Sequence, residues 1–259
     1  MVAGVDVLSL RLLGPFGAID AKHSRPLTIT SRRARALLAY LAMHADRLID
    51  REELSDLLWD VRQGRDTRHN LRQCLVDLRK VLDPFPGLLM IERGAVTFAS
   101  GGCQVDAIAF SNAVETDNLD LAGRLLQGEF LQGLNITSEA FVSWVSEERS
   151  RVSSLAERLY EQTVHSSLRS GDGKKVIAAA EKLVALDPLH ENWQRLLMQA
   201  YARFRGRHAA IMQARKFVET LKRELGVTPE HETIVLLDRI KSGEMTPLSQ
   251  IENAPALAS

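Results

Sequence analysis

The hydrophobic period changes twice within the first hundred residues, and that change restricts the folds open to this chain more than any other feature. The stretches "VLSLRLLGPFGAID" and "PLTIT" read as short strands, closed by Gly14-Pro15, Gly17 and Pro26. A helical period then takes over. Ser31 is placed to cap a helix whose apolar positions Ala34, Leu37, Leu38, Leu41 and Ala42 recur at helical spacing. Asp50 with Glu53 resembles a capping box for a second helix that turns Leu54, Leu57 and Leu58 inward. A third helix is expected over residues 65–82, "RDTRHNLRQCLVDLRKVL", with Leu71, Leu75, Leu78 and Leu82 as its core stripe and Asp83-Pro84 as its stop. The pattern returns to strand type in "LLMIERGAVTFA", two apolar runs about a turn at residues 92–95, which reads as a β-hairpin. Strands, three helices and a hairpin in that order spell a winged helix-turn-helix.

Charge says which side of the third helix matters. The chain of 259 residues carries 33 Lys+Arg against 33 Asp+Glu, so it has no net charge. Between Arg62 and Lys80, however, Arg62, Arg65, Arg68, Arg72, Arg79 and Lys80 face only Asp66 and Asp77, and local charge is what an anionic partner feels within a Debye length of roughly 8 Å. At about 100° per residue, Arg65, Arg68, Arg72 and Arg79 fall within roughly 60° of one another beside the leucine stripe. His69, Gln73, Val76 and Lys80 fill the adjoining face. A DNA-reading helix needs this mixture: cations for phosphates, Arg and Gln for purine edges, and a small apolar side chain such as Val76 for a thymine methyl. A solvated basic face is the bland use of an isolated helix of this kind. The surrounding order of elements favours DNA contact, with Arg93 at the hairpin tip where a wing meets a neighbouring groove.

The second half reads as helical hairpins. "SGDGKKVIAAAEKLVALDP" follows the tetratricopeptide pattern, with Gly171 at the turn, Val176, Ala180 and Leu183 at small or apolar positions, and Pro188 after the second helix. Gly206 repeats the turn 35 residues after Gly171. Thr163 and Val164 stand where a Leu-Gly pair is the rule, so the first helix of the unit departs from the pattern. Stacked hairpins of this type bury a common core and expose a groove.

Other classes find little support. The longest nearly apolar run, "ALLAYLAM", is too short to span a bilayer, and Asp6 and Arg11 interrupt the N-terminal stretch where a signal peptide needs an apolar core. Cys74 and Cys103 form neither a disulfide framework nor a metal set, which fits a reducing cytoplasm. Gly173-Lys174 lacks the glycine at position 168 and the Ser or Thr at position 175 that a P-loop requires, these being Leu168 and Lys175. His190-Glu191 lacks a second histidine, since Gln194 stands there. Glu147 and Glu148, being adjacent, point to different helix faces and make no carboxylate pair. The expectation is a protein that is not an enzyme and needs no cofactor or metal.

The sequence resembles the SARP-type (antibiotic regulatory protein) bacterial activators. The first half does so through "SRRARALLAYLAMHADRLIDREELSDLLWD" followed by "HNLRQCLVDLRKVL". The second half does so through "GEFLQGL" ahead of Trp144, then "ALDPLHENWQRLLMQAYARFRG" and "LKRELGVTPEHETIVLLDRI". This resemblance implies an OmpR-like winged helix, then a bacterial transcriptional activation domain. It implies that the third helix enters the major groove, placing Arg72, Gln73 and Val76 at base edges and leaving Arg68, His69, Arg79 and Lys80, with Arg93 of the wing, for phosphates. In OmpR-like domains the loop before that helix touches RNA polymerase, which implies such a contact for Arg62 and Gln63. Two departures stand out: Asp77, where relatives have Arg, Lys or Ser, and Ala95, which replaces an aromatic residue after Gly94. Asp77 is positioned to pair with Lys80 or Arg79.

The expected architecture is therefore mainly α. A winged helix-turn-helix (α+β) over residues 5–100 precedes an all-α TPR-like domain over 108–243, and residues 244–259 read as a disordered tail or linker. The expected function is that of a transcriptional activator of the cytoplasm and nucleoid, bound as a homodimer to direct repeats in double-stranded DNA. Two alternatives remain: a TPR-like protein-interaction scaffold with a vestigial winged helix, and the input module of a longer sensor or enzyme chain.

Overall fold

The computed structural model describes residues 7–60 and 67–244. It divides into two compact units, Met1–Leu155 and Ala156–Ser259. The first unit opens with β1 (Leu8–Arg11), which pairs antiparallel with β2 (Gly17–Asp20); β3 (Arg25–Pro26) extends the far edge of β2. The "PLTIT" strand thus ends almost where it starts. Its pairing lasts only as far as β2 can supply partners, the final bond being Leu27 N–H to the Ala18 carbonyl at 2.8 Å.

Three helices follow. Ser31 caps α1 (Arg32–Met43) as its position suggested, its hydroxyl accepting from Ala34 N–H at 3.3 Å. Asp50 is the N-cap residue of α2 (Arg51–Leu58), but its side chain makes no capping bond. No reciprocal box forms, because Glu53 is drawn elsewhere: its carboxylate accepts from the Tyr40 hydroxyl at 3.0 Å and from Arg47 at 3.3 Å. The third helix, α3 (Thr67–Val81), buries Leu71, Leu75 and Leu78 as its spacing predicts, and Leu82 continues the stripe just beyond it. The hairpin forms from β5 (Leu89–Ile91) and β6 (Ala95–Phe98). A short strand absent from the sequence reading, β4 (Ile49–Asp50), pairs on the open edge of β6 and gives a three-stranded wing sheet, β4-β6-β5.

The chain then returns to β1. Residues 103–105, just after Gly101-Gly102, form β7 (Cys103–Val105), parallel to β1, so the first sheet runs β3-β2-β1-β7. At the head of α4 (Asp106–Glu115), Asp106 accepts from the backbone N–H groups of Leu12 (2.7 Å) and Leu13 (3.1 Å), just where β1 ends. Burial pushes the Asp106 carboxyl up, while those bonds act in the opposite sense. After α5 (Leu119–Leu125), the "GEFLQGL" segment joins the same edge: Leu131 N–H donates to the Leu12 carbonyl at 2.7 Å and Gly14 N–H to the Glu129 carbonyl at 3.0 Å. Phe130 and Leu131 are fully buried there.

The division between units falls inside α6 (Glu139–Ser170). Its first turns belong to the first unit. Trp144 lies edge-on to Tyr40 of α1 (ring centroids 5.0 Å apart, planes at 76°) and to Phe130 (5.6 Å, 84°), with Phe141 at 5.4 Å. Ser138 donates to the Asp56 carbonyl at 3.2 Å, and Asp60 accepts from Glu139 N–H at 3.3 Å. Elements that follow the wing in sequence therefore share a core with the winged helix.

The second unit holds the remainder of α6 with α7 (Gly173–Leu186), α8 (Glu191–Phe204), α9 (Arg207–Glu224) and α10 (His231–Ser242). Gly171 and Gly206 stand at the two turns with φ of +74° and +96°, a region costly for any residue with a Cβ. Val164, Val176, Ala180, Leu183, Trp193 and Leu197 form one buried cluster; Met198, Ala210, Phe217, Leu221 and Leu236 form the next. Glu191 ties α10 to α8, accepting from Glu230 N–H at 3.0 Å and from the Thr233 hydroxyl. Beyond Glu244, the tail expected over 244–259 lies outside the described residues.

Candidate nucleic-acid interface

The α3 helix is anchored on one side and open on the other. Its leucines, with Cys74 at 7% exposure, face the core formed with α1 and α2; Arg68, His69, Arg72, Gln73, Val76, Arg79 and Lys80 are all exposed. The same arithmetic that buries Leu71, Leu75 and Leu78 thus turns these seven outward together. Arg93 is exposed in the turn of the β5–β6 hairpin, which closes with Glu92 N–H donating to the Ala95 carbonyl at 2.9 Å. Ala95 is buried, as an inward-facing strand position rather than an outward wing contact. Arg62, Gln63 and Arg65 lie outside the described residues.

The exposed face is polarised. Arg68, Arg72 and Arg79 occupy the flank beside Leu75, and Asp77 lies on the opposite flank, with Gln73, Val76, His69 and Lys80 between. Arg68 reaches Glu52 of α2 at 2.8 Å, with both side chains about four-fifths exposed. Such a solvated pair is worth about 0–1 kcal/mol, so exchanging Glu52 for a phosphate costs little. No ion pair among the described residues engages Arg72, Arg79, Lys80 or Arg93. Asp77 does not pair with either basic neighbour. It accepts instead from Gln73 Nε2, one turn earlier, at 3.0 Å. The i, i+4 spacing of Gln73 and Asp77 carried that signal; Glu52, on another helix, carried none.

Neither cysteine is suited to covalent chemistry. Burial pushes the Cys74 thiol up and holds that of Cys103 at about 12, so neither is a ready thiolate. Among the described residues, no three of His, Cys, Asp and Glu are grouped to hold a metal ion. Nor is any helix long and apolar enough to cross a membrane.

Comparisons with known proteins identify the domains. Residues 105–241 match the family described as bacterial transcriptional activator domain, and residues 25–94 match transcriptional regulatory protein, C terminal. The chain is similar to the regulatory protein AfsR of Streptomyces griseus, at 28% identity over 249 residues covering 92% of this chain and 25% of that protein. It is similar likewise to the regulatory protein AfsR of Streptomyces coelicolor, at 28% identity over 248 residues, 90% of this chain and 24% of that one. The chain thus spans about a quarter of the length of these curated relatives. Among solved structures, Mycobacterium tuberculosis EmbR in complex with a low affinity phosphopeptide shares the fold, with a TM-score of 0.69 at 21% identity over 95% of this chain and 68% of that one. With the activator-domain match extending over more than half of its length and the regulatory C-terminal match preceding it, the chain belongs to the bacterial transcriptional activator domain family, in the SARP-type order of an OmpR-like winged helix followed by that domain.

Proposed function

We propose that this chain binds double-stranded DNA in a sequence-specific way and activates transcription, with a winged helix over about residues 5–100 and a TPR-like domain over about 108–243. The observation that carries the reading is the open face of α3, where Arg72, Arg79 and Lys80, in no ion pair among the described residues, flank Gln73 and Val76 above a buried leucine stripe. A helix fits the major groove, which is about 12 Å wide. In this reading Arg72, Gln73 and Val76 meet base edges, Arg68, His69, Arg79 and Lys80 hold the backbone, and Arg93 contacts a phosphate from the wing.

The two kinds of contact separate experimentally. Arg72→Ala is expected to cost about 1–3 kcal/mol on the specific site and to relax sequence preference, whereas Lys80→Ala is expected to weaken all duplexes alike and to lower the salt slope by about one. Gel-shift titrations on specific and scrambled duplexes at several salt concentrations measure both. Equal losses for Arg72→Ala on the two duplexes would remove it from the base-reading set.

A single winged helix covers few base pairs, so the reading includes a homodimer on direct repeats spaced by about one helical turn, 10–10.5 base pairs. Inserting half a turn between repeats in the same titrations is expected to abolish cooperativity; undiminished cooperativity would exclude the arrangement. The reading also includes a contact of Arg62 and Gln63 with RNA polymerase. Its mark is loss of transcription in a reconstituted assay with DNA affinity intact on replacing both, and parallel loss of the two refutes it.

A further inference from the structure

We infer that Asp77 is a specificity-determining positioning residue: by holding the Gln73 amide, it commits α3 to a base carrying an exocyclic amine, adenine or cytosine, where Gln73 meets the major groove. The inference rests on the DNA-binding function proposed above. It begins from the bond in which Gln73 Nε2 donates to Asp77 Oδ1 at 3.0 Å.

A carboxylate accepts hydrogen bonds and, when ionised, donates none, so the amide must turn its nitrogen toward Asp77. The Gln73 carbonyl oxygen then points the other way, and the nitrogen keeps one N–H free. A free glutamine flips its amide at little cost and reads donors and acceptors with equal ease. This one presents a fixed acceptor with a single adjoining donor. Adenine N6 and N7, a donor beside an acceptor, complement that edge, and cytosine N4 satisfies its acceptor. Guanine O6 and N7, both acceptors, set an oxygen against the Gln73 carbonyl.

The charge of Asp77 acts in the same sense. Asp77 lies half-buried on the flank of α3 away from Arg68, Arg72 and Arg79, and shares a small cleft with Thr28, Ser31 and Lys80. A negative group there gains nothing from phosphate and loses from any acceptor-rich base edge, while an exocyclic amine relieves it. The residue that most departs from a DNA-contacting composition therefore trades affinity for discrimination.

Measuring preference at every position of the site, by selection from randomised duplexes and titration of the winners, separates this from a merely tolerated acid. Asp77→Ala is expected to bind scrambled DNA more tightly than the parent, and to lose about tenfold of adenine-or-cytosine preference at one base pair while the other positions keep theirs. Asp77→Asn is nearly isosteric but offers a donor as well as an acceptor, so it lets the Gln73 amide take either orientation and is expected to lose most of that preference. Gln73→Ala removes the preference, and adding Asp77→Ala to it changes that position no further. Circular dichroism of each variant controls for helix integrity. An unchanged preference at every position in Asp77→Ala, or a uniform loss across all of them, overturns the inference. If the parent chain shows no sequence preference at all, the proposed function fails and this inference fails with it.

Discussion

A chain ending after residue 105 is expected to lose the cooperative thermal transition of the first unit and to bind the specific duplex at least tenfold more weakly than the whole chain. The reason lies in what such a cut removes. Leu12 and Leu13 lose the Asp106 carboxylate from their N–H groups, the Leu12 carbonyl loses Leu131 N–H, and Gly14 loses both of its backbone partners, Glu129 and Gln132. The cut exposes these groups to water, so each lost bond costs about 0.5–1.5 kcal/mol. Leu12, Leu13 and Tyr40 lose the cover of Phe130, Leu131 and Trp144 as well. Domain stabilities amount to about 5–15 kcal/mol, so losses on this scale exceed what the remainder can absorb. Circular dichroism melts and gel-shift titrations of the two chains test this. A fragment of residues 1–105 that melts at the same midpoint as the whole chain, and binds as tightly, would show that the winged helix stands alone.

That dependence was not legible in the sequence, and the reason is physical. Periodicity reports which face of a helix is apolar, not which partner covers it. Helical spacing located Leu71, Leu75 and Leu78 and hence the exposed face of α3, because a single helix carries all the information needed. The caps show the same divide. Ser31 acts on its own helix, so a local motif sufficed; Glu53 of the expected capping box found Tyr40 and Arg47, partners that only folding brings near. Strands of two or three residues, such as β4 and β7, are too short to display alternation, and each exists because a longer strand offers an open edge. At the candidate interface, the exposed side chains of α3 were legible, and so in principle was the Gln73–Asp77 link, being i, i+4. The Arg68–Glu52 pair joins two helices and was not.

Trp144 gives the second large effect, and the two substitutions that probe it should differ sharply. Its side chain is 8% exposed and packs against Tyr40, Phe130 and Phe141. Trp144→Ala leaves a cavity among aromatic rings that cannot collapse onto it, since α1, the "GEFLQGL" segment and α6 are each fixed by other contacts; the expected cost is about 3–5 kcal/mol. Trp144→Phe is different. The indole Nε1–H is buried without a hydrogen-bond partner among the described residues, so it already carries a desolvation cost that phenylalanine does not. Removing that N–H offsets part of the lost contact area, and the expected net change is under about 1.5 kcal/mol. Urea unfolding of the three proteins, followed by far-ultraviolet circular dichroism, gives both differences. Because Tyr40 lies on α1, against which α3 packs, Trp144→Ala should also weaken DNA binding, although Trp144 does not belong to the exposed face of α3. A loss from Trp144→Phe as large as that from Trp144→Ala would mean that the indole N–H is satisfied in solution, by water or by a ring face. Full DNA affinity in Trp144→Ala would mean that α1 holds α3 in place without support from α6.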